Sequence, residues 1–211
     1  MFVLLVGILV LLFFALVWSY HTRHTTVSTI KRKHVKLCAV LGSGGHTAEM
    51  IALLEKLDEN YTPRYYVIAK SDSMSIEKVK SLEETKDGNY KLCFLSRSRE
   101  VLQSYFTSIF TTLKAFAESL WFVAFNDFDL LLCNGPGTCI PVCIAAALFD
   151  FLRVKNIRII YFESICRVKK LSLSGMILYH LRIADLIAVH WLDLVEKYPR
   201  TKLINSLSSN S

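Results

Sequence analysis

Beyond residue 35 the chain alternates short, continuous apolar runs with longer amphipathic ones. The runs at 36–41, 64–69, 90–95, 129–133, 157–162 and 185–190 lack the alternation of a half-exposed strand and predict strands buried on both faces. Between them, 46–57, 74–85, 104–124, 138–152 and 171–182 carry apolar residues at three- and four-residue steps and predict helices. Strand and helix in strict alternation, joined by short connections, predict an α/β fold with one Rossmann-like, doubly wound parallel sheet. No internal repeat is visible, and the only low-complexity stretch is the closing "SLSSNS". The glycines gather where strands hand over to helices.

The first twenty residues break this rhythm. Phe2 to Trp18 contains no charge and a single glycine, and roughly 17 apolar residues lie near the lower end of what spans a bilayer. A cleaved signal peptide would need a basic start, a shorter apolar core and a small-x-small cleavage site, whereas "ALVWSYHTRH" is bulky there. The expected organisation is a transmembrane anchor at 1–20, a basic juxtamembrane linker at 21–35, a Rossmann-like domain at 36–200 and a polar tail at 201–211. A chain of 211 residues holds one such domain with a full core, but not two.

Charge gives the anchor an orientation. Arg23, Lys31, Arg32, Lys33 and Lys36 follow it without an intervening acid, which places the body on the cytosolic side by the positive-inside tendency. These five residues account for most of the net charge of +7, leaving little for nucleic-acid binding. Such a stretch is also suited to anionic headgroups, at about 1 kcal/mol per side chain near the surface. The six cysteines agree with a reducing compartment: Cys38, Cys93 and Cys133 fall in strand runs as small hydrophobes, and Cys139 and Cys143 have no partners at metal-ligand spacing. The sequon Asn60-Tyr61-Thr62 precedes a proline and, facing the cytosol, is expected to be unglycosylated.

Helix 104–124 carries Phe106, Ile109, Phe110, Leu113, Phe116, Leu120 and Trp121, with only Lys114 and Glu118 charged. As a second span it would hold Lys114 near mid-bilayer at a cost of about 2.5 to 3.5 kcal/mol, which argues against spanning. Core packing accounts for one face. The remaining aromatics fit either ordinary burial or a membrane surface.

Two glycine turns carry the candidate chemistry. Gly42, Ser43, Gly44 and Gly45 follow the first strand and open a helix, and Asn134, Gly135, Pro136, Gly137 and Thr138 do the same after the fourth. In doubly wound sheets ligands bind outside the carboxyl ends of the strands, where amides at helix starts favour anions. A dinucleotide fingerprint would need glycine at position 47, where the chain has Thr47, and no Walker lysine follows. Such a turn also serves simple close packing of helix on strand. Two further edge loops bring Arg97 and Arg99 in "SRSRE" and Glu163, Ser164 and Arg167 in "ESICR", and arginine suits phosphate oxygens. Asp127 and Asp129 match an Asp-x-Asp metal pattern but precede a strand, and are expected only to solvate its start.

His46 is the sharpest single residue. At a helix start the positive dipole end favours the neutral, proton-accepting ring that a general base requires. The alternative is a ring that merely hydrogen-bonds the backbone there.

The stretches "GSGGHTAEM", "SRSREV", "CNGPGT", "ESICRV" and "EKYP", in this order behind an apolar anchor, resemble the membrane-bound subunit of the eukaryotic UDP-N-acetylglucosamine transferase that makes the second sugar addition to dolichol diphosphate. The resemblance covers residues 36 to about 200. That family is similar to the amino-terminal half of the bacterial glycosyltransferase MurG, whose other half binds the nucleotide sugar. The resemblance therefore implies half of a GT-B glycosyltransferase: an acceptor-binding chain on the cytosolic face of the endoplasmic reticulum membrane. A separate soluble chain carries the UDP-N-acetylglucosamine site, and the acceptor is GlcNAc-diphosphate-dolichol. It implies no cofactor or metal, and no independent enzyme. The acceptor diphosphate would lie on Gly42, Ser43, Gly44 and Gly45, with Arg97, Arg99, Asn134, Gly135, Gly137, Thr138 and Arg167 around it. His46 would be the catalytic base, with Glu163 as the next carboxylate. In the family the carboxyl terminus continues as an apolar strand that helps grip the partner, whereas "LINSLSSNS" soon turns polar.

Two other classes remain open from sequence. An NAD(P)-dependent oxidoreductase is disfavoured by Thr47, and a recruitment scaffold with a vestigial site would share the partner but tolerate loop mutations.

Overall fold

The computed structural model describes residues 34–98, 105–135 and 138–204. The predicted anchor, nearly all of the basic linker, Arg99, Gly137 and the last seven residues lie outside these. Seven strands of the described residues form one sheet: β1 (Leu37–Val40), β2 (Arg64–Ala69), β3 (Tyr90–Leu95), β4 (Leu130–Asn134), β5 (Arg158–Phe162), β6 (Leu186–Val189) and β7 (Thr201–Leu203). Between them run α1 (Gly45–Leu54), α2 (Ser73–Glu83), α3 (Tyr105–Phe125), α4 (Cys139–Phe151), α5 (Leu173–His180) and α6 (Leu192–Lys197).

The strand order is β3-β2-β1-β4-β5-β6-β7, and every pairing is parallel. The order reverses between β1 and β4, which lie side by side with Val40 opposite Cys133. Alternate β1 residues divide the core: Leu37 and Ala39 join Met50 and Leu54 of α1 and Val79 and Leu82 of α2, while Cys38 and Val40 join residues of α3 to α6. Burial on both faces is why β1, β2 and β4 read as apolar runs, whereas β3, at the edge of the sheet, leaves Tyr90, Lys91 and Phe94 exposed.

The six predicted strands and five predicted helices are all present, and two elements were not expected. α6 and β7 lie at 192–203, and β7 pairs with β6, so the sheet extends to Leu203. Helix α3 turns small residues and one aromatic inward. Ala115, Ser119, Phe122 and Val123 are buried, whereas Ile109, Phe110, Leu113, Trp121 and Phe125 are exposed. Small residues at 115 and 119 let α3 approach its neighbours closely, and the Ser119 hydroxyl is satisfied by the Ala115 carbonyl at 2.7 Å. Among the described residues α3 is the one helix long and apolar enough to cross a membrane by length and composition. Its Glu118 instead accepts from Lys70 at 3.0 Å and from the Ser96 amide at 2.6 Å, tying it to the ends of β2 and β3.

One buried ion pair fixes α2 to β2. Arg64 donates to both Glu83 oxygens, at 2.8 and 2.6 Å, and to the Tyr61 and Asp87 carbonyls, while the Tyr66 hydroxyl also donates to Glu83. Burial, then the adjacent carboxylate, push the Tyr66 phenol upward, so it stays a donor. Glu83→Ala should destabilise the domain by about 3 to 5 kcal/mol, because a buried guanidinium would lose its counter-charge. Chemical denaturation of the full chain checks this, and a loss under about 1 kcal/mol, the scale of an exposed pair, would contradict the assignment.

Candidate functional site

The reversal between β1 and β4 brings the two glycine turns together at the carboxyl edge. Residues 42–44 leave β1 and start α1, and Gly135 leaves β4 with φ +92°. His46, in the first turn of α1, lies between them. A Cβ on Gly42 would stand 2.8 Å from the His46 Cβ, and one on Gly135 would stand 2.9 Å from its Cγ. Gly42 therefore makes room for the His46 Cβ and the Asn134 carbonyl, and Gly135 for the imidazole itself. Gly44 and Gly45 differ: a Cβ there would meet nothing within 4 Å, although Gly44 has φ +63°. They present open backbone at a helix start, the arrangement that suits an anion.

Thr47 explains the departure from a dinucleotide fingerprint. It is buried, its hydroxyl donates to the Gly42 carbonyl at 2.6 Å, and it lies 2.8 Å from the Ser75 hydroxyl of α2. Ser75 in turn donates to Asp72, the N-cap of α2, at 2.7 Å. A side chain thus fills the place where that fingerprint keeps a glycine.

A polar chain then crosses the site. His46 Nδ1 lies 2.9 Å from Asn134 Oδ1, and Asn134 Nδ2 donates to Glu49 Oε2 at 2.8 Å. The other Glu49 oxygen accepts from the Ser164 hydroxyl at 2.9 Å and from the Ile165 amide at 3.3 Å. In this way Glu49, on α1, joins the end of β4 to the loop after β5. Burial acts to raise its carboxyl, but the hydrogen bonds from Asn134, Ser164 and Ile165, with His46 close by, outweigh it and hold the group below the usual carboxylate range. Sequence reasoning missed Glu49. An acid on a helix normally reads as solvated, and the signal available was its spacing of three from His46, one turn along the same face.

Glu163 takes a different place. It is 1% exposed, and its oxygens accept from the Ser164 amide at 3.0 Å, the Ser172 amide at 2.7 Å and the Ser172 hydroxyl at 2.9 Å. It holds the loop 164–172 and the start of α5, turned inward to these serines and away from the polar chain through His46. A Cβ on Gly175 would overlap its Oε2, so Gly175 too is required.

The remaining predicted residues divide. Ser43 and Arg167 are exposed on their edge loops, and Thr138 is buried at the start of α4. Arg97 does not join the glycine turns: it lines a separate recess of about 210 Å³ beyond β2 with Lys70, Ser71, Ser96, Thr111 and Lys114. Asp127 and Asp129 sit at the opposite end of the sheet, where both bind Lys36. This bears out their reading as strand-start residues. Among the cysteines only Cys166 is exposed.

The fold has solved counterparts. MurG of Acinetobacter baumannii superposes with a TM-score of 0.53 at 15% identity, over 75% of this chain and 42% of that one. A single parallel sheet with this reversal, matching about two fifths of MurG, has the fold of one GT-B lobe. The family model described as "Oligosaccharide biosynthesis protein Alg14 like" matches residues 37–207, and the chain belongs to the Alg14 family. It is 46% identical over 202 residues to the mouse protein named UDP-N-acetylglucosamine transferase subunit ALG14, covering 92% of this chain and 91% of that protein. The human protein of that name is 44% identical over 178 residues, covering 81% and 82%. The Yarrowia lipolytica one is 43% identical over 176 residues, covering 82% and 81%.

The two kinds of glycine predict different defects. Gly175→Ala should destabilise the fold by roughly 2 to 4 kcal/mol, the scale of displacing a hydrogen-bonded buried carboxylate, and should lower Tm. Gly45→Ala, with room for its methyl and helical backbone, should leave Tm within a few degrees of the parent. Thermal unfolding of both variants tests the distinction, and equal losses would refute it.

Proposed function

We propose that this chain is the acceptor-side, membrane-anchoring subunit of a two-chain UDP-N-acetylglucosamine transferase. In this reading the complex adds the second GlcNAc to GlcNAc-diphosphate-dolichol on the cytosolic face of the endoplasmic reticulum. A soluble partner carries the nucleotide-sugar site. The observation that carries the reading is a lone GT-B lobe with a glycine-lined turn and a histidine at its carboxyl edge, in a chain that spans almost the whole length of relatives named as transferase subunits. A GT-B site lies between two lobes, and in this reading the partner supplies the second.

The geometry supports a division of labour within this reading. The open amides at Gly44 and Gly45 face the acceptor's diphosphate, because the nucleotide belongs to the partner's lobe. His46 accepts the proton of the acceptor's attacking hydroxyl as that oxygen bonds to the anomeric carbon and UDP departs. Residues 1–20 form the single-pass anchor and 21–35 the basic linker. The exposed side of α3, with Phe110, Leu113, Trp121 and Phe125 around Lys114, adds an apolar and cationic face fit to rest on the bilayer beside the lipid-linked acceptor.

The decisive assay is transfer from UDP-GlcNAc to lipid-diphosphate-linked GlcNAc by the microsomal chain with and without its soluble partner. Activity only with both is expected, and activity of either chain alone would overturn the reading. In that assay His46→Ala should lower kcat by roughly 10² to 10⁴, the usual span for loss of a general base. Gly45→Ala should raise KM for the acceptor and leave KM for UDP-GlcNAc nearly unchanged. A scaffold with a vestigial site would instead tolerate both variants.

Deleting residues 1–20 should release the body from membranes in part or whole. High salt should remove the electrostatic share of what stays behind. A body resistant to protease in intact microsomes would contradict the cytosolic orientation.

A further inference from the structure

The geometry points to Glu49 as a positioning residue that, through the Asn134 amide, holds His46 with its proton on Nδ1 and its Nε2 lone pair free. The inference rests on the proposed base role of His46 for its consequence in turnover, but its structural content stands on hydrogen-bond directions alone.

Those directions propagate from one end. An ionised carboxylate only accepts, so the Asn134 group 2.8 Å from Glu49 Oε2 is the NH2, and the amide is turned one way. Its Oδ1 then faces His46 Nδ1 at 2.9 Å. An amide oxygen also only accepts, so Nδ1 bears the hydrogen, and in the neutral ring Nε2 is left as acceptor. Glu49 is itself oriented from the far side, where Ser164 and the Ile165 amide donate to its second oxygen. The ring lies against the Gly135 backbone, where a Cβ would come within 2.9 Å of its Cγ and 3.1 Å of its Cδ2. Three loops thus specify which nitrogen can take a proton.

The chain of polarity can be reversed and then restored. In Glu49→Gln the side-chain oxygen is claimed by the two donors at Ser164 and Ile165, so its NH2 faces Asn134. The Asn134 amide must then flip, its NH2 donates to Nδ1, and the ring proton moves to Nε2. Adding Asn134→Asp places a carboxylate between the introduced amide and His46. That carboxylate accepts from both, which returns the proton to Nδ1. A role for Glu49 that is only structural predicts neither the tautomer change nor its reversal.

The test uses the full-length chain with its soluble partner in lipid nanodiscs, labelled with 15N-histidine. Long-range proton–nitrogen spectra, with His46 assigned by its loss in His46→Ala, read the tautomer. GlcNAc transfer is assayed on the same samples, with Tm and partner co-purification confirming folding. The parent should carry the proton on Nδ1. Glu49→Gln should carry it on Nε2 and lose roughly 10²-fold or more in kcat with acceptor KM near the parent's, since a histidine held in the wrong tautomer loses up to about 10⁴. The double variant Glu49→Gln/Asn134→Asp should regain the Nδ1 proton and most of the rate. An Nδ1 proton retained in Glu49→Gln, or a double variant no better than the single, overturns the inference. Should His46→Ala turn over at the parent rate, the base role falls separately, and the tautomer measurement still decides the relay.

Discussion

Everything at the carboxyl edge depends on the reversal of strand order between β1 and β4. Up to β3 the chain builds outward in one direction, with α1 and α2 on one face; from β4 it builds in the other, with α3 to α6 opposite. Adjacent parallel strands whose following helices go to opposite faces must part their loops, and the gap is where backbone amides gather without neighbours. Here the gap holds a histidine whose Cβ leaves no room for a methyl group at Gly42 and whose ring leaves none at Gly135. The hydrogen bonds around it are the means by which three separately folded loops are kept in a common geometry.

Much of this was legible in the primary structure, for a physical reason. Strands of a parallel sheet covered by helices leave largely apolar runs, and turns that bring backbone against a side chain leave glycines, so β1 to β6 and the turns at 42–45 and 135 could be read directly. α6 and β7 could not, because six and three residues are too few for any periodicity to emerge. Which face of α3 turns inward stayed open, since its packing relies on Ala115 and Ser119, small residues that hydrophobicity alone does not mark.

The two glutamates illustrate the limit more sharply. Glu163 stands in a polar edge loop and invites a catalytic reading, yet the loop folds it inward onto Ser172 with Gly175 making room. Glu49 stands mid-helix and invites none, yet it meets partners 85 and 115 residues away in the chain. Local pattern gives a carboxylate's address but not its hydrogen-bond partners, and the partners decide its role. The same holds for Arg97, which shares an edge with the glycine turns but is set apart from them by the width of β2.

The placement of the thiols has a practical corollary. Five cysteines are sealed in the core, where burial pushes the Cys38 and Cys133 thiols up and keeps them protonated. The sixth, Cys166, stands exposed on the loop whose preceding residues bind Glu49. The native chain therefore offers a single accessible thiol for a fluorescent or spin label, next in sequence to the Ile165 amide that helps hold the site together. Any rearrangement of that loop becomes observable in real time without substituting any residue.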